Sequence, residues 1–524
     1  MATAALVRVV AWSGACLLAT QGSARGNVRV PYSERKRAHA AAARGEGRAR
    51  EEFRRRERAS RYPTYNASAG PYDWAAAMAR LDAHRDADVA RYDPATASAR
   101  LAVQRALRDK LHTVWVFKGR VLVHKSYLGE MKRELHLRFL KSVLAGLGSA
   151  KRDVGNTVYS FDEGASGPSG CDDHLPALAI AKKRGDGQCG VLVPNPYFGD
   201  VYKTWAPEFK GLLFQGKRRD WGSRNPRLFW RGKIRGHDAV MDELRDCERD
   251  AGNFARLQAC SLTSLDRTLF DVRSTSCEPR IVRSHKRDVC GDVFVQTPRL
   301  REIKGGHCRP IRGDFVNHGK FNTYQFLLDL PGSTTGSYSR NLNHLWLLGA
   351  VVVFWRGPLL EADGALQWYT PALADGATHV AVDVDTAKPT LEAIKRTPAW
   401  RDALLDNARG VATHVLCADC LASYFVGALT RLKARLPRLD RALNPAAYAR
   451  ADRKAGNATS GPSLASLLRE EHCDRYLNLV EVVSGKPRRA RGRGAGGPGW
   501  SVTTRPFAAG ADACKKLAAL AESS

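Results

Sequence analysis

Two basic segments of this chain each follow a short apolar run of the kind that forms a buried β-strand. The first, Leu228–Arg235 (LFWRGKIR), places Arg231, Lys233 and Arg235 at or just past the end of the predicted strand. Ligands of open α/β sheets bind at the carboxyl ends of strands, and the forked donors of arginine match a diphosphate. The segment therefore predicts an anion-binding loop, with a basic surface loop as the alternative.

The second segment combines a strand, a loop of small residues and a predicted helix start. A buried strand, Tyr324–Leu330, runs into Gly332–Arg340 (GSTTGSYSR). A helix start offers unpaired backbone N–H groups, and small residues let a phosphate come close. Ser337 and Arg340 are the candidate phosphate contacts, and a capped helix without a ligand is the alternative.

A carboxylate follows another predicted strand. In Tyr159–Gly164 (YSFDEG), Asp162 comes directly after the apolar residues. A carboxylate just beyond a strand end can reach a cleft and act there as a general base. An exposed acidic turn is the commoner structure for such a segment, and Asp172 and Asp173 are rival carboxylates.

Two short motifs have the spacing of metal or redox sites. Asp383–Asp385 (DVD) has DxD spacing, but the helical run that follows favours a strand end or a helix cap. Cys417 and Cys420 have CxxC spacing within a helical pattern, which a redox or metal half-site would share. Because no second CxxC and no histidine pair lies nearby in the sequence, we predict no metal and no cofactor.

Strand and helix patterns alternate through the middle of the chain, which predicts an α/β architecture with parallel sheets. Val114–Phe117 and Arg120–Val123, joined by Lys118–Gly119, predict a hairpin. The other predicted elements are a helix at Gly129–Leu147, strands at Thr157–Phe161, Ala350–Trp355 and His379–Asp383, and a helical region at Leu391–Leu436. The sequence has no GxxxxGK[ST], HExxH or GxSxG motif, which excludes the simplest P-loop, zinc-protease and α/β-hydrolase interpretations.

The composition describes a folded and basic protein. The chain has 524 residues, of which 44% are hydrophobic, enough for two or three packed domains. Its formal net charge of +30 predicts anionic partners such as nucleotides, nucleic acid, acidic glycans or a membrane surface. Much of that charge lies in Glu34–Arg61, which is almost without aromatic residues, so we predict no nucleic-acid binding.

The first 24 residues predict a cleaved secretory signal peptide. Arg8 supplies the positive charge, Val9–Thr20 the apolar core and Gly22–Ala24 small residues for cleavage. This core is shorter than the roughly 20 residues of a transmembrane helix, and we predict no integral membrane span. A transit peptide or an anchor is the alternative. The predicted location is the lumen of the endoplasmic reticulum or Golgi, or the outside of the cell.

The cysteine content indicates that the protein folds in an oxidising compartment. Of the 12 cysteines, those from Cys247 to Cys308 predict an insert stapled by disulfides. An odd number remains after the signal is removed, which predicts one free thiol. The sequons Asn66–Ser68 and Asn457–Thr459 agree with passage through a secretory lumen.

The segment 320–384 resembles glycosyltransferase family 90, which includes the protein O-glucosyltransferases and the fungal capsule xylosyltransferases. The matching residues are Tyr324–Gly332 (YQFLLDLPG), Ser337–Arg340 (SYSR), Leu347–Val353 (LLGAVVV), Trp368–Leu373 (WYTPAL) and His379–Val380. Elements at Val158–Glu163, Phe229–Gly232, Ala408–Gly410 and Cys420–Tyr424 extend the resemblance over about residues 110–435.

The resemblance implies a GT-B fold, in which two Rossmann-like domains face a cleft, with a C-terminal helical region. The implied organisation is a signal peptide at 1–24, a basic stem or spacer at 25–70, an acceptor-side domain at 71–220, a UDP-sugar-binding domain with a Cys-rich insert and closing helices at 221–436, and a polar, basic, partly disordered tail at 437–524.

The same resemblance implies inverting transfer of glucose or xylose from a UDP-sugar to a hydroxyl of a protein or glycan, without a metal. Asp162 would be the base that deprotonates the acceptor. Arg231 and Arg340 would neutralise the leaving diphosphate, helped by Ser337, and Asn341 or Asn343 are alternatives to Arg340. The remaining candidate UDP-sugar contacts are Gly232 and Lys233.

Two other functions compete with this hypothesis. One is a catalytically inactive relative that binds glycans or acts as a chaperone in the secretory pathway. The other is a polyanion-binding protein, driven by the net charge of +30. The latter would depend on the basic segments at 25–60 and 484–500, whereas a transferase would not.

Overall fold

The structure, a computed structural model, describes the chain from residue 71 onward with several gaps. The described residues are 71–146, 154–164, 173–182, 189–234, 251–277, 313–332, 339–356, 366–449, 461–484 and 502–523. The predicted signal peptide, the stem, both sequons and most of the Cys-rich segment lie outside these ranges. Residues 63–524 belong to one compact unit.

Twelve strands are described, and they form two sheets. The strands are β1 (Thr113–Phe117), β2 (Arg120–His124), β3 (Thr157–Asp162), β4 (Ala177–Ala179), β5 (Val191–Leu192), β6 (Asn225–Ile234), β7 (Phe270–Cys277), β8 (Tyr324–Asp329), β9 (Val351–Trp355), β10 (Val380–Val382), β11 (Asn478–Ser484) and β12 (Thr503–Ala509).

The described helices surround these sheets. They are α1 (Trp74–Ala90), α2 (Ala99–Arg108), α3 (Met131–Gly146), α4 (Ala206–Arg218), α5 (Ala251–Leu265), α6 (Leu342–Leu345), α7 (Ala387–Arg396), α8 (Pro398–His414), α9 (Ala418–Arg435), α10 (Pro437–Leu443), α11 (Leu464–Glu470) and α12 (Gly510–Glu522).

The first sheet is mixed, in the order β12-β11-β2-β1-β3-β4-β5. Its antiparallel part contains the predicted hairpin of β1 and β2, which is confirmed, with Val114 opposite Val123. Lys118 and Gly119 both have positive φ, 51° and 75°, as a two-residue turn matched to the twist of the strands requires. Strands β3, β4 and β5 run parallel, so their carboxyl ends lie along one edge.

The second sheet is wholly parallel, in the order β10-β9-β8-β6-β7. This confirms the predicted α/β architecture. The chain leaves β6 towards β7 on one side and leaves β8 towards β9 on the other. The carboxyl ends of β6 and β8 therefore flank the point at which the strand order reverses, where ligands bind in sheets of this kind.

Two apolar cores account for the packing. Residues on one face of the second sheet, such as Leu228 and Val353, pack with α5, α7 and α8. Residues on its other face, such as Phe229 and Val352, share a core with Phe161 of the first sheet. The second sheet is therefore covered on both faces, as its continuous apolar strands require.

The predicted helical region after the second sheet consists of three helices, α7, α8 and α9. Helix α9 buries Leu421 and Phe425, and α8 buries Trp400 and Leu404. Among the described helices, no single one is long and apolar enough to span a bilayer; α8 and α9 meet those criteria only as a pair bent by 59°.

The segment 437–524 was expected to be a polar and partly disordered tail, but its described parts are folded. Strand β11 pairs with β2 at the edge of the first sheet, and β12 pairs with β11. The polar composition of the whole segment did not indicate this strand. The strand buries a carboxylate, and it can do so because two arginines pair with that carboxylate. Glu481 accepts from Arg120 Nη2 at 2.6 Å and from Arg505 Nε at 3.0 Å.

The helix expected to carry Arg340 is also different from the prediction. Helix α6 has four residues and begins at Leu342, so Arg340 precedes it. Only five residues separate the end of α6 from β9, and Gly349 turns the chain with φ of 63°. A helix this short makes no anion site of the predicted kind.

Candidate active site

Charged residues from both sheets meet at the carboxyl ends of their strands. Arg340 follows β8, and its guanidinium lies 4.8 Å from the ring centre of Tyr197, which follows β5. Arg340 also interacts electrostatically with Lys132 at the start of α3, and Lys132 in turn interacts with Asp162 at the end of β3. The structure thus brings Asp162 and Arg340, both predicted site residues, to one region.

Asp162 is the last residue of β3 and is half-buried. Its Oδ1 accepts the backbone N–H of Gly164 at 2.5 Å, and a Cβ on Gly164 would lie only 2.6 Å from that oxygen. Burial raises the pKa of Asp162, and the charge of Glu163 adds to the rise against the opposing effects of His112 and Lys132. The carboxylate is therefore a stronger base than an exposed aspartate.

An Asp–His pair that the sequence analysis missed lies beside Asp162. His112 Nδ1 is 2.8 Å from Asp109 Oδ1, and Ser160 donates to Asp109 Oδ2 at 3.1 Å. The hydrogen bond to Asp109 raises the pKa of His112 against burial. The D-x-x-H spacing between α2 and β1 is a signal from which the pair could have been found.

Glu163 anchors the turn after β3 through three basic groups. Arg133 Nε lies 2.9 Å from Glu163 Oε1, and His112 Nε2 lies 3.9 Å from Oε2. Lys132 Nζ donates to the Glu163 carbonyl at 2.8 Å. Because Glu163 is held in this way, Asp162 is the carboxylate of the turn better suited to exchange a proton.

Arg231 lies in a buried ion pair within the second sheet. Its Nη2 lies 2.8 Å from Asp271 Oδ1 and its Nη1 donates to the Asp271 carbonyl at 2.7 Å, while Tyr324 donates to Asp271 Oδ2 at 2.9 Å. Strand alternation places Arg231 on the face of Phe229, 4.6 Å from its ring centre. Its side chain is only 9% exposed, and Arg273 Nε lies 3.2 Å from the same Asp271 Oδ1, so two guanidinium groups share this carboxylate.

The ends of β6 and β8 are joined by Arg256 of α5. Its Nη2 donates to the Pro331 carbonyl at 2.8 Å, and its Nη1 donates to the Lys233 carbonyl. Lys233 is exposed, whereas a Cβ on Gly232 would contact the ring of Trp230. These contacts hold the backbone in place at the point where the strand order of the second sheet reverses. Arg235 and Ser337, the other predicted contacts here, lie outside the described residues.

Asp329, the last residue of β8, is a further titratable group of this region and was not among the predicted site residues. Burial raises its pKa to about 7, although a hydrogen bond with Ser339 and the charge of Arg256 oppose the rise. The residue as a whole is half-buried, but its Oδ1 is shielded from solvent and has no hydrogen-bond partner within the described ranges.

The other sequence candidates have structural contacts. Asp383 Oδ1 accepts the backbone N–H groups of Asp385 and Thr386 at 3.0 Å and 2.8 Å, directly before α7. Asp383 thus directly follows the end of β10, which is the strand-end position that the sequence favoured for the DxD. Asn341 contacts His318 Nε2 at 3.1 Å, and Asn343 accepts from Tyr369 at 3.3 Å. Within the described ranges, no group of three or more His, Cys, Asp or Glu residues is arranged to hold a metal ion.

Comparison with known proteins adds no relative: no protein-family model matches the chain, and no curated protein matches it.

Proposed function

We propose that this chain is an inverting glycosyltransferase that moves glucose or xylose from a UDP-sugar to a hydroxyl of a protein or glycan. In this proposal the two sheets are the Rossmann-like halves of a GT-B arrangement, and their facing strand ends form the cleft. The observation that carries the proposal is the position of Arg340. Its guanidinium lies over the ring of Tyr197, and Lys132 interacts electrostatically with both Arg340 and Asp162.

Asp162 supplies the base that inversion needs. An acceptor hydroxyl becomes a good nucleophile when its proton moves to a carboxylate as the bond to the sugar forms. The raised pKa of Asp162 makes that transfer more favourable. His112, held by Asp109, lies at the same turn and stabilises the charged carboxylate before the proton moves.

Arg340 and Lys132 supply positive charge for the leaving group. The bond from sugar to diphosphate breaks with negative charge developing on the phosphate oxygen, and fixed cations stabilise it. Arg340 is exposed and stacks on Tyr197, so its guanidinium is oriented without being buried. Arg231 contributes at most through the field of its pair with Asp271.

The test is UDP release by the purified full chain with a panel of UDP-sugars, with and without EDTA and a hydroxyl acceptor. We expect release with UDP-glucose or UDP-xylose, insensitive to EDTA. Asp162→Asn should lower kcat about 10²–10⁴-fold, whereas Asp173→Asn, which removes an exposed carboxylate outside the cluster, should not. Full activity of Asp162→Asn would refute the base assignment.

One observation favours the alternative of an inactive glycan-binding relative. Arg231, the predicted diphosphate contact, is paired with Asp271. A chain that binds glycans without transfer would show no UDP release with any donor. Glycan binding by such a preparation, measured on an array, would support the alternative.

A further inference from the structure

A disulfide lies at the N-terminus of α9, a position that favours reactive cysteines. Cys417 and Cys420 are bonded, with Cα atoms 5.0 Å apart. Cys417 is the N-cap of this 18-residue helix, and its Sγ accepts the backbone N–H of Cys420 at 3.0 Å. Both residues are half-buried, so solvent and small thiols have access to the bond.

The other disulfide with both cysteines described is placed differently. Cys473 and Cys514 link α12 to the chain before β11, and Cys473 is only 2% exposed. This bridge closes a separation of 41 residues, whereas Cys417–Cys420 closes a separation of 3. The longer loop constrains the unfolded chain more, so Cys473–Cys514 has the character of a structural staple.

The surroundings of Cys417 suit a thiolate. Backbone N–H groups at a helix start stabilise negative sulfur, and the N–H of Cys420 already points at Cys417 Sγ. The titratable residues next to it in the sequence are Asp419, which accepts from Tyr202 at 3.1 Å, and His414, which stacks on Trp74 at 5.0 Å. Asp419 opposes a thiolate, but its hydrogen bond with Tyr202 disperses its charge.

We propose that Cys417–Ala418–Asp419–Cys420 is a thiol–disulfide exchange site that reacts with small thiols such as glutathione while the protein stays folded. An incoming thiolate attacks Cys420 Sγ, the bond between the two cysteines breaks, and Cys417 leaves as a thiolate. A second thiolate attacks the mixed disulfide at the sulfur of the first thiol, and Cys420 leaves as a thiolate. The balance is two thiols oxidised to one disulfide, with Cys417 and Cys420 reduced.

The fold around the site does not depend on the bond. Trp205 Nε1 donates to the Leu416 carbonyl at 2.7 Å and holds the turn between α8 and α9. Leu421 and Phe425 bury the next turns of α9 in the core. The helix therefore stays in place when the disulfide opens. This inference is independent of the proposed transferase function.

The first experiment compares the two disulfides in the oxidised full chain. Samples are treated with reduced glutathione at pH 7, alkylated at intervals and analysed by peptide mass spectrometry, with circular dichroism recorded in parallel. We expect Cys417–Cys420 to be reduced at least about tenfold faster than Cys473–Cys514, with the spectrum unchanged, and to re-form with oxidised glutathione. Equal rates, reduction only on unfolding, or permanently free Cys417 and Cys420 would overturn the proposal.

Single variants identify the reactive sulfur. Cys420→Ser leaves Cys417 alone at the helix start, and Cys417→Ser leaves Cys420. We expect Cys417 to form a mixed disulfide with oxidised glutathione several-fold faster at pH 6 than Cys420 does, because its thiolate is stabilised there. Faster reaction at Cys420 would refute the role of Cys417.

Discussion

Both sheets carry charged residues in or beside their strands, but the two sheets arrange them differently. At the end of β3 in the first sheet, Asp162 and His112 are partly open to solvent, and the pKa of each is raised. In the second sheet, Arg231 and Asp271 are buried against each other. The first arrangement is suited to exchange protons, and the second holds the sheet together.

The two sheets would therefore contribute unequally to the proposed site. Asp162 and His112 are positioned by neighbouring residues of the chain: Asp162 accepts the backbone N–H of Gly164, and His112 contacts Asp109. In the proposed mechanism, positive charge for a leaving group would come instead from Arg340 and Lys132, which interact electrostatically with each other. Of the two predicted strand-end arginines that the structure describes, Arg231 is less open to a ligand than Arg340.

The largest expected effect comes from the buried pair of the second sheet. Asp271→Ala leaves Arg231 buried without its carboxylate, which should lower the free energy of unfolding by about 3–5 kcal/mol. Denaturant unfolding measures this loss. The surface pair of Arg401 and Asp402 is the control, and Asp402→Ala should cost about 1 kcal/mol or less. A small effect of Asp271→Ala would mean that Arg231 is able to turn outward towards a ligand.

Each sheet also buries one neutral histidine, which gives a second comparison. His136 stacks on Phe161 with ring centres 3.7 Å apart, and His379 stacks on Phe354 at 4.0 Å. Burial lowers the pKa of both to about 3. In the unfolded chain both histidines take up protons near pH 6.5. The free energy of unfolding of the protein should therefore decrease as the pH falls below that value.

Unfolding measurements between pH 4 and pH 7 test this second comparison. In that window each histidine contributes a slope of up to about 1.4 kcal/mol per pH unit, with the folded protein less stable at lower pH. His136→Gln and His379→Gln should each remove one such contribution, whatever their effect at pH 7. An unchanged slope in either variant would show that the histidine is protonated in the folded state.

Much of the fold could be predicted because local signals and packing agree. The Lys118–Gly119 turn, the apolar run at Val351–Val353 and the strand that ends at Asp162 each have one strong local solution. The segment after residue 437 could not be assigned in this way. Its strand β11 contains Glu481, whose burial depends on Arg120, 361 residues away in sequence.

The site was predicted only in part for the same reason. Residue type and position at a strand end were enough to find Asp162. They were not enough to show that Arg231 would pair with Asp271, because that depends on the register of β6 against β7, in which Phe229 lies opposite Asp271. The pair of Asp109 and His112 was missed because it lies in the turn between α2 and β1, where the folded backbone brings the two side chains together.

A smaller effect is expected at that pair. Asp109→Asn removes the negative charge from the hydrogen bond that raises the pKa of His112, so the pKa should fall towards or below its ordinary value. In the wild type, the stabilisation is present below about pH 6.5 and is lost as the pH rises through the raised value. Because His112 is 39% exposed, the loss in Asp109→Asn at pH 6 should be about 1 kcal/mol or less. NMR titration of the His112 ring, assigned with His112→Gln, measures the shift directly, and an unchanged pKa would contradict the pairing.

The smallest effect is expected at Asp383, and it tests whether this residue of the second sheet has only a structural role. Asp383→Ala removes two side-chain hydrogen bonds to the turn before α7, which should lower the free energy of unfolding by about 0.5 kcal/mol. Because the carboxylate is bonded to the backbone of Asp385 and Thr386, UDP release should keep its rate and its insensitivity to EDTA. Asp383→Asn, which retains an oxygen acceptor, is the matched control and should recover most of the stability. If instead Asp383→Ala and Asp383→Asn both abolish UDP release while α7 stays folded, the DxD contributes to the reaction and the second sheet supplies more of the chemistry than its buried ion pair suggests.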